Sequence, residues 1–433
     1  MKSFKYVLLG GGTASGYAAR EFVQRGVEPG QLCIITSEAV VAYERPALSK
    51  GFLLADKPAR LPGFHTCVGK GWERQTPEWY AEHGIEYMTS TRVVSADIAG
   101  KKLVLDSGEE VGYEKLIVAT GARPATLREL GVPGAELEGI HYVREVAEAQ
   151  ALYDAIADCK ARSARAVVIG AGYIGMEVAA ALAGNGLAVT MVFPGGMLME
   201  RLLPPEAASF YEEYYKERGV EVMWGQRGAG FEGEEGRLEA VLLQDGRRIE
   251  AGMAVVGIGA RVNKELFEGQ LDMAKGGIEV DGRLRTSNPD VYAIGDVAAF
   301  PLVGYGGQLQ RQEHVTNARL SAAHAVSAIM APEETGDYEY LPFFYSRFFA
   351  LSWQFYGTNK GKSVMFGDKG AAKFGMYWLA EGRVVGAFLE GGSAEEFGWI
   401  KAVALRRPEA PATEERLAAK GLAFAAAVAA QEA

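Results

Sequence analysis

Two short glycine-rich segments have the residue types and the spacing that bind the phosphates of a nucleotide. The first, Gly10-Gly-Gly-Thr-Ala-Ser15, follows an apolar run that begins near Lys5, and the second, Gly170-Ala-Gly-Tyr-Ile-Gly175, follows one that begins near Arg165. Glycines in this pattern allow a tight turn between a strand and a helix, and they let a pyrophosphate approach the N–H groups that begin the helix. One such segment is weak evidence, whereas two in the same context predict two dinucleotide sites rather than two coincidental turns.

The two segments differ at the position of the third glycine. Ser15 stands there in the first segment, with Gly16 directly after it, and a small residue still lets the helix pack closely on the strand. The residues predicted to contact a bound dinucleotide are Gly10, Gly12 and Ser15 in the first segment, and Gly170, Gly172, Tyr173, Ile174 and Glu177 in the second.

An acidic residue at the end of the second strand of such a unit hydrogen-bonds the ribose of the dinucleotide. After the first glycine segment the next predicted strand covers residues 31–37, and Glu38 follows it at about the expected distance. We therefore predict that Glu38 binds ribose. The alternative is a solvated carboxylate in a loop.

Length and composition limit the classes of protein that these segments can belong to. The 433 residues amount to about three domains at roughly 150 residues each. The net charge of −10 is that of an acidic globular protein, for which we expect neither a nucleic-acid partner nor a membrane. Glu177 and Asn185 interrupt the apolar stretch 166–193, which is interpreted as strand, turn, helix and strand rather than as a membrane span.

The cysteines and histidines argue against several kinds of chemistry. Cys33, Cys67 and Cys159 include no closely spaced pair, which disfavours a dithiol redox centre, and the five histidines show no metal-ligand spacing. Cys67 is interpreted as a structural or merely accessible thiol. This sparse use of cysteine suits a reducing compartment. Because a strand begins by about Phe4, we expect no leader segment and a cytoplasmic location.

Two further motifs connect the glycine segments to a known family. The stretch 113–124 is an apolar strand that ends in Ala-Thr120-Gly, and the stretch 286–296 ends in Gly-Asp296. They resemble the ATG and GD motifs of the two-dinucleotide-binding flavoproteins, whose fold is similar to that of glutathione reductase. The resemblance implies FAD at the first glycine segment, with Asp296 near its ribityl and pyrophosphate groups, and a nicotinamide dinucleotide at the second.

The same resemblance defines the predicted fold class. It is α/β, with two Rossmann-like dinucleotide-binding domains, the NAD(P) domain inserted in the FAD domain, and a small α+β C-terminal domain. We place the FAD-binding domain at 1–118 and 253–328, the NAD(P)-binding domain at 119–252, and the C-terminal domain, an antiparallel sheet with helices, at 329–433. The resemblance further implies cofactor contacts for Thr120 and Arg123 and for Gly259, which lies in a second ATG-like turn.

The acceptor of the electrons distinguishes the members of this family. The disulfide reductases need a redox-active cysteine pair, which this sequence lacks. The stretch 42–50 instead resembles the ferredoxin- and putidaredoxin-reductase branch and the monodehydroascorbate reductases. That resemblance implies that Arg45 and Lys50 lie near FAD, where a cation stabilises an anionic reduced flavin. The alternative for both residues is a solvated basic loop.

Three longer stretches, 59–80, 312–319 and 341–357, resemble monodehydroascorbate reductases of plant and algal type. The resemblance implies that Tyr345, in a part predicted to be loop, and Arg319 line the site for the radical. The radical is an anion at neutral pH, and Arg319, with His314 close in sequence, supplies positive charge. The resemblance extends to Glu313 and His314 as cofactor contacts. The alternatives are a salt bridge on a helix for Arg319 and a structural role for His314. The chain departs from the plant pattern at residues 316–317, where Thr and Asn replace an acid and a histidine.

The second nucleotide segment carries the most informative departure. Related reductases have a glutamate one residue past the proline that ends the second strand, whereas Pro194 is followed here by Gly195. Glu200 and Arg201 come a few residues later, and Arg201 is a candidate contact. The resemblance implies NADH as the reductant, and use of NADPH stays open.

The sequence therefore predicts an NADH-dependent flavoprotein that reduces the monodehydroascorbate radical to ascorbate. NADH would give a hydride to FAD, and two single electrons would follow to two radicals. No metal is required. Two alternatives remain open: a reductase of a ferredoxin- or putidaredoxin-type protein, and a non-catalytic dinucleotide-binding redox sensor.

Overall fold

The computed structural model describes residues 1–67 and 73–431 of the chain. Residues 68–72, inside the stretch 59–80, and the last two residues of the predicted C-terminal domain lie outside this range. The described chain divides into two units. The first consists of Met1–Ala47, Ala59–Arg123 and Ala260–Tyr340, and the second of Leu48–Pro58, Pro124–Gly259 and Leu341–Ala433.

Helices and strands alternate in the two nucleotide-binding parts, and strands dominate after residue 340. The strands are β1 (Lys2–Leu9), β2 (Leu32–Ile35), β3 (Glu86–Met88), β4 (Val93–Asp97), β5 (Lys102–Leu105), β6 (Glu110–Val118), β7 (Ala122–Pro124), β8 (Ile140–His141), β9 (Ala166–Ile169), β10 (Val189–Phe193), β11 (Val220–Trp224), β12 (Gly228–Glu234), β13 (Arg237–Leu243), β14 (Arg248–Glu250), β15 (Met253–Val256), β16 (Ala260–Val262), β17 (Met273–Ala274), β18 (Gly277–Glu279), β19 (Val291–Ala293), β20 (Ala298–Pro301), β21 (Leu309–Arg311), β22 (Phe343–Phe348), β23 (Leu351–Gly357), β24 (Lys362–Asp368), β25 (Lys373–Ala380) and β26 (Arg383–Glu390). The α-helices are α1 (Thr13–Gln24), α2 (Pro77–Glu82), α3 (Val146–Ala161), α4 (Tyr173–Gly184), α5 (Pro205–Lys216), α6 (Val315–Met330), α7 (Ala394–Arg406) and α8 (Glu414–Ala430).

The first unit is built on a sheet in which the strand before the first glycine segment is central. The strand order is β3-β2-β1-β6-β5-β4, and β19 pairs with β6. Strands β1, β2, β3, β6 and β19 run parallel, and α1 and α6 pack on each other beside them. The chain leaves β1 in one direction to reach β2 and in the other to reach β6. A nucleotide binds at such a reversal, outside the carboxyl ends of the strands.

The second unit repeats this arrangement around the second glycine segment. Its parallel sheet has the order β11-β10-β9-β15-β8, with β9 leading into the glycine turn and α4. All residues of β9 and β10 are buried, as expected for parallel strands covered on both faces. The interpretation of 166–193 as strand, turn, helix and strand is therefore confirmed.

The C-terminal part of the second unit is an antiparallel sheet of order β22-β23-β26-β25-β24, with α7 and α8 beside it. Buried and half-buried residues alternate from Leu351 to Phe355, as predicted for a strand with one face in the core. The sheet also packs on the nucleotide-binding part of its unit, since α4 contacts β22 and Tyr211 of α5 bonds Glu390 of β26. The predicted fold class, two Rossmann-like domains and a small α+β C-terminal domain, is confirmed.

Two kinds of feature are absent from the described residues, a membrane-spanning helix and a cluster of metal ligands. No helix there is long and apolar enough to cross a bilayer. No group of three or more histidine, cysteine, aspartate or glutamate side chains there has an arrangement that could hold a metal ion.

Candidate functional site

The first glycine turn closes tightly behind β1 and leaves the start of α1 open. Gly10 has φ +113°, and a Cβ atom there would lie closer than 3.0 Å to the Ala119 carbonyl oxygen, so the position requires glycine. Gly12 is the N-cap of α1, and no side chain caps the helix. Ser15 donates a hydrogen bond from its hydroxyl to the Gly10 carbonyl, so the residue at the third-glycine position stabilises the turn itself.

Glu38 lies just past β2 and is held by two neighbours rather than by solvent. The Tyr43 hydroxyl and the Arg45 guanidinium both donate hydrogen bonds to its carboxylate. Glu38 is 9% exposed. Glu38 and Arg45 therefore form a mostly buried ion pair at the carboxyl edge of the sheet. This differs from both alternatives, a solvated loop carboxylate for Glu38 and a solvated basic loop for Arg45. The hydroxyl of Tyr43 also accepts from Arg45 at 2.8 Å, which fixes the guanidinium.

The ATG segment and the segment that returns to the first unit are tied together after β6. Thr120 donates from Oγ1 to the Asn263 carbonyl at 2.6 Å, and Asn263 returns a bond to the Thr120 carbonyl at 2.9 Å. Arg123 pairs with the exposed carboxylate of Glu265 at 2.9 Å. Through these contacts Thr120 and Arg123 have a structural role, since they hold the segment after β6 against residues 263–265. Their predicted cofactor contacts remain predictions.

The GD motif and the start of α6 lie side by side in the first unit. Asp296 follows Gly295, whose N–H donates to the Ser321 hydroxyl at 3.0 Å, and Arg311 donates to the Asp296 carbonyl at 3.1 Å. Glu313 forms an ion pair with Arg311. Burial lowers the pKa of His314, the N-cap of α6, to about 4, so its imidazole is neutral at physiological pH and does not supply the positive charge that its position suggested.

The sequence departs from the plant pattern at residues 316 and 317, and one of the two, Asn317, has a structural role. This side chain is fully buried; its amide donates to the Gln312 carbonyl at 2.9 Å, and its oxygen accepts from the Tyr338 hydroxyl at 3.1 Å. Asn317 therefore supports the turn that leads into α6.

Arg319, the predicted anion ligand, is on α6 and is about one-third exposed. Its Nη2 donates to the Glu44 carboxylate at 2.7 Å, and the Tyr17 hydroxyl donates to the same carboxylate at 2.8 Å. The guanidinium also lies over the Tyr17 ring, 5.3 Å from its centroid. Two elements therefore orient Arg319. Neither Glu44 nor Tyr17 was a candidate in the sequence, because ion pairs between residues so far apart along the chain leave no local pattern.

Cys67 is fully buried in the first unit, and burial raises the pKa of its thiol to about 12. A thiol that stays protonated at neutral pH is a poor nucleophile. Its surroundings therefore support the structural interpretation.

The second glycine turn is the counterpart of the first. Gly170 has φ +123°, and a Cβ atom there would lie closer than 3.0 Å to the Gly257 carbonyl oxygen. Gly175, at the third-glycine position, would meet the Gly170 carbonyl in the same way, whereas Gly172 has open space within 4 Å. Gly172 is the N-cap of α4, again with no side-chain cap. Tyr173 and Ile174 begin the helix and are half-buried.

Glu177 is the most enclosed charged group of the second unit's predicted site. Its side chain is fully shielded, and Lys50 Nζ lies 2.8 Å from its Oε2. The hydroxyls of Ser49 and Ser346 also donate hydrogen bonds to the carboxylate. Lys50 is therefore the cation of a buried pair and not a residue of a solvated loop. Ser49 and Ser346 went unnoticed in the sequence for lack of any periodic or motif signal.

Tyr345 lies on β22 and not in a loop, so the sequence prediction was wrong on this point. It pairs with Gln354 of β23, and its ring stacks on Phe343 with centroids 5.9 Å apart. Because side chains alternate along a strand, Phe344 and Ser346 form the face that packs on α4, and Tyr345 lies on the other face. Its side chain is half-buried.

Two candidates remain, Arg201 in the loop after β10 and Gly259 between β15 and β16. Arg201 is exposed, and its carbonyl accepts a hydrogen bond from Asn359 at 2.6 Å. Gly259 has φ +112° and open space around its Cα. The carboxylate of Glu200 lies against Gly195, in the space that a side chain at position 195 would fill.

The local geometry of both glycine turns fits a bound dinucleotide. Each has a glycine whose missing Cβ permits close chain approach and an N-cap glycine that leaves the first helical N–H groups without a side-chain cap. Neither helix has an acidic residue in its first turn, so nothing there repels a phosphate.

Comparison with known proteins agrees with this arrangement. The family described as pyridine nucleotide-disulphide oxidoreductase matches residues 4–324, and the C-terminal domain described as monodehydroascorbate reductase 3-like matches residues 341–425. The fold and its two nucleotide turns thus define the class, an FAD-dependent NAD(P)H oxidoreductase. At full length the sequence is more specific still, and the chain belongs to the monodehydroascorbate reductase family.

Two curated relatives carry that assignment, and two solved structures share the fold. Monodehydroascorbate reductase 4, peroxisomal, of Arabidopsis thaliana is 51% identical over 100% of this chain and 88% of its own length. Monodehydroascorbate reductase of Solanum lycopersicum is 50% identical over 98% of this chain and 99% of its own. A putidaredoxin reductase, solved in covalent complex with putidaredoxin, has a TM-score of 0.87 at 27% identity and 100% coverage of both chains. A ferredoxin reductase of Rhodopseudomonas palustris has a TM-score of 0.84 at 30% identity, covering 98% of this chain and 100% of its own.

Proposed function

We propose that this protein uses NADH to reduce the monodehydroascorbate radical to ascorbate. The observation that carries the proposal is the identity of about half of all residues, over essentially the whole chain, with relatives of that name. The two open glycine turns support two nucleotide ligands, FAD at Gly10–Ser15 and the nicotinamide dinucleotide at Gly170–Gly175.

FAD, when bound, supplies the ability to accept a hydride and to release electrons singly. The residues proposed to hold it are those of the first turn together with Glu38, Arg45, Lys50, Thr120, Arg123, Asp296, Glu313 and His314. Arg45 is kept in place by Glu38 and Tyr43, and Lys50 by Glu177, so both cations are ordered before any ligand arrives. Ordered cations attract negative charge without further loss of side-chain entropy.

Arg319 and Tyr345 are proposed to bind the radical. The guanidinium is partly exposed, and its orientation is set by Glu44 and Tyr17. A guanidinium presents several N–H donors in a planar fork, which is the chemistry that binds an anion. Tyr345 presents a half-buried ring and a hydroxyl on the face of β22 that does not pack on α4.

The domain limits, the cytoplasmic location and the absence of nucleic-acid partners belong to the same proposal. The three buried free cysteines suit a reducing compartment, although one of the relatives quoted above is named peroxisomal. The chain's net charge of −10 disfavours nucleic acid. Microscopy of the full chain carrying an internal epitope tag in the turn at 234–236 tests the location. Fluorescence outside the cytoplasm would contradict it.

A direct assay tests the function. NADH oxidation is followed while ascorbate oxidase generates the radical, with ferricyanide as a general acceptor in parallel. We expect rapid turnover with both. Turnover with ferricyanide but not with the radical would overturn the substrate assignment and leave the flavin and nicotinamide sites standing.

The same assay separates the proposal from its nearest alternative. Two solved neighbours are a ferredoxin reductase and a putidaredoxin reductase, and they favour a protein acceptor as the alternative. An oxidised ferredoxin-type protein is offered as a third acceptor. Faster turnover with that protein than with the radical would favour the alternative.

A further inference from the structure

The second nucleotide turn has no acid where the ribose of NADH is normally recognised. That acid is expected about 20 residues past the last glycine of the turn. Counting 20 residues from Gly175 reaches position 195, which is a glycine. From the sequence alone, NADH is the expected reductant and the use of NADPH stays open.

In the structure, a carboxylate from another residue of the same loop lies beside position 195. A Cβ atom built on Gly195 would lie closer than 3.0 Å to Oε2 of Glu200. The carboxylate of Glu200 thus occupies the space in which a side chain at position 195 would begin. Glu200 is exposed, so its carboxylate is accessible to a ligand.

Backbone contacts hold the loop that carries Glu200 against the glycine turn. Leu198 and Met199 are buried, and the Met199 N–H donates to the Ala171 carbonyl, inside the turn, at 2.9 Å. At the other end of the loop, the Gly225 N–H donates to the Gly195 carbonyl at 3.0 Å. Glu200 therefore follows directly on two anchored residues, so the fold fixes the backbone from which its side chain reaches Gly195.

We infer that Glu200 is the residue that selects NADH over NADPH, taking the place of the acid missing at position 195. The inference rests on the proposed nicotinamide site at Gly170–Gly175. A carboxylate there accepts hydrogen bonds from the two ribose hydroxyls of NADH, and it repels the 2′-phosphate of NADPH. The neighbouring Arg201 would act in the opposite sense, so the charge of Glu200 decides the preference.

Equilibrium binding tests the inference without turnover. The probes are ADP-ribose and 2′-phospho-ADP-ribose, which carry the adenosine half of each coenzyme, titrated calorimetrically into the FAD-loaded protein. Glu200→Gln keeps a hydrogen-bonding group but loses the charge, whereas Glu200→Ala loses both. Glu217→Gln, an exposed glutamate just past α5, is the matched control for net charge.

The two variants have different expected signatures. In Glu200→Gln, 2′-phospho-ADP-ribose should bind about tenfold more tightly while ADP-ribose changes little; in Glu200→Ala, ADP-ribose should also bind about tenfold more weakly, as expected for a lost hydrogen bond to a charged group. The double variant Gly195→Glu/Glu200→Ala should restore the wild-type preference, because Gly195 has no left-handed φ that would bar a side chain. The ratio of NADH to NADPH efficiency with ferricyanide should follow the binding ratio.

The results separate this inference from the proposed function. If both Glu200 variants bind the two probes as Glu217→Gln does, Glu200 does not select the coenzyme, although the nicotinamide site stands. If ADP-ribose does not bind the wild-type protein at all, the nicotinamide site itself is wrong and the inference is overturned with it.

Discussion

Lys50 and Glu177 form an ion pair of 2.8 Å in which the carboxylate is completely shielded from solvent. Two serine hydroxyls complete the shell of the carboxylate, one from Ser49 beside the lysine and one from Ser346 on β22. Ser346 is the neighbour of Tyr345 on β22. The Glu177 carboxylate on α4 therefore contacts both Lys50, which is proposed to lie near the flavin, and the strand that carries Tyr345, which is proposed to bind the substrate. A buried charge with three donors around it specifies one arrangement of these elements.

Glu177→Gln should destabilise the second unit by about 3 kcal/mol, because it leaves a largely buried ammonium without its counter-charge. Urea unfolding of the FAD-loaded protein measures the change, and Glu217→Gln serves as the exposed control. A destabilisation no greater than that of the control would mean that the pair contributes nothing to the fold. Ser346→Ala should cost about 1 kcal/mol, since it removes one hydrogen bond and leaves the ion pair.

Glu38→Gln should weaken FAD binding about tenfold, because the amide neither holds Arg45 by charge nor accepts ribose hydrogen bonds as strongly as a carboxylate. Flavin released from the protein on dilution is measured by its fluorescence. Glu109→Gln removes an equal charge from an exposed turn of the same unit and should retain wild-type affinity. Unchanged affinity in Glu38→Gln would remove Glu38 from the proposed FAD site.

Glu390→Gln should stabilise the protein at alkaline pH and not at acidic pH. Glu390 is fully buried, accepting hydrogen bonds from Tyr211 and from the Ser352 N–H, each at 2.8 Å, and burial raises the pKa of its carboxyl. The native state therefore holds a proton that the unfolded chain releases, and the resulting stability is present below the ordinary carboxyl pKa and lost as pH rises through the raised value. Glutamine does not titrate; its one acceptor oxygen can receive the Ser352 N–H, and its amide can donate to the Tyr211 hydroxyl, which also accepts.

The prediction for Glu390 is tested by measuring the free energy of unfolding in urea at a series of pH values between about 4 and 8. The variant should gain on the order of 1 kcal/mol over wild type at the upper end, and the gain should vanish at the lower end. Glu409→Gln, an exposed position nearby in sequence, should show no such trend. A constant difference between Glu390→Gln and wild type would show that the carboxyl titrates alike in both states.

The sequence predicted the parts of the fold that local pattern determines. Gly10 and Gly170 are required by the turns they make, and the buried runs before them become central parallel strands, so both nucleotide units were predictable. Tyr345 was misplaced because its hairpin turns at Phe349 and Ala350, with φ +52° at Phe349, and neither residue carries the usual turn signal of glycine or asparagine.

The candidate site was predictable only in part. Glu177 and Lys50 were both identified, but their pairing joins positions far apart along the chain and had no local sign. The same holds for Glu44, which orients Arg319, and for Glu200, which occupies the space beside Gly195. Side-chain contacts of this kind depend on how loops close, and periodicity carries no information about that closure.

The central claim is that Arg319 binds the anionic radical, and steady-state kinetics of Arg319→Ala tests it most directly. Arg347→Ala, which removes an exposed arginine from β22, is the matched control. The KM for the radical should rise about tenfold or more in Arg319→Ala and stay near wild type in Arg347→Ala, while NADH-dependent ferricyanide reduction is preserved in both. If both variants reduce the radical with the same KM, or if ferricyanide reduction falls in parallel in Arg319→Ala, Arg319 is not the residue that recognises the substrate.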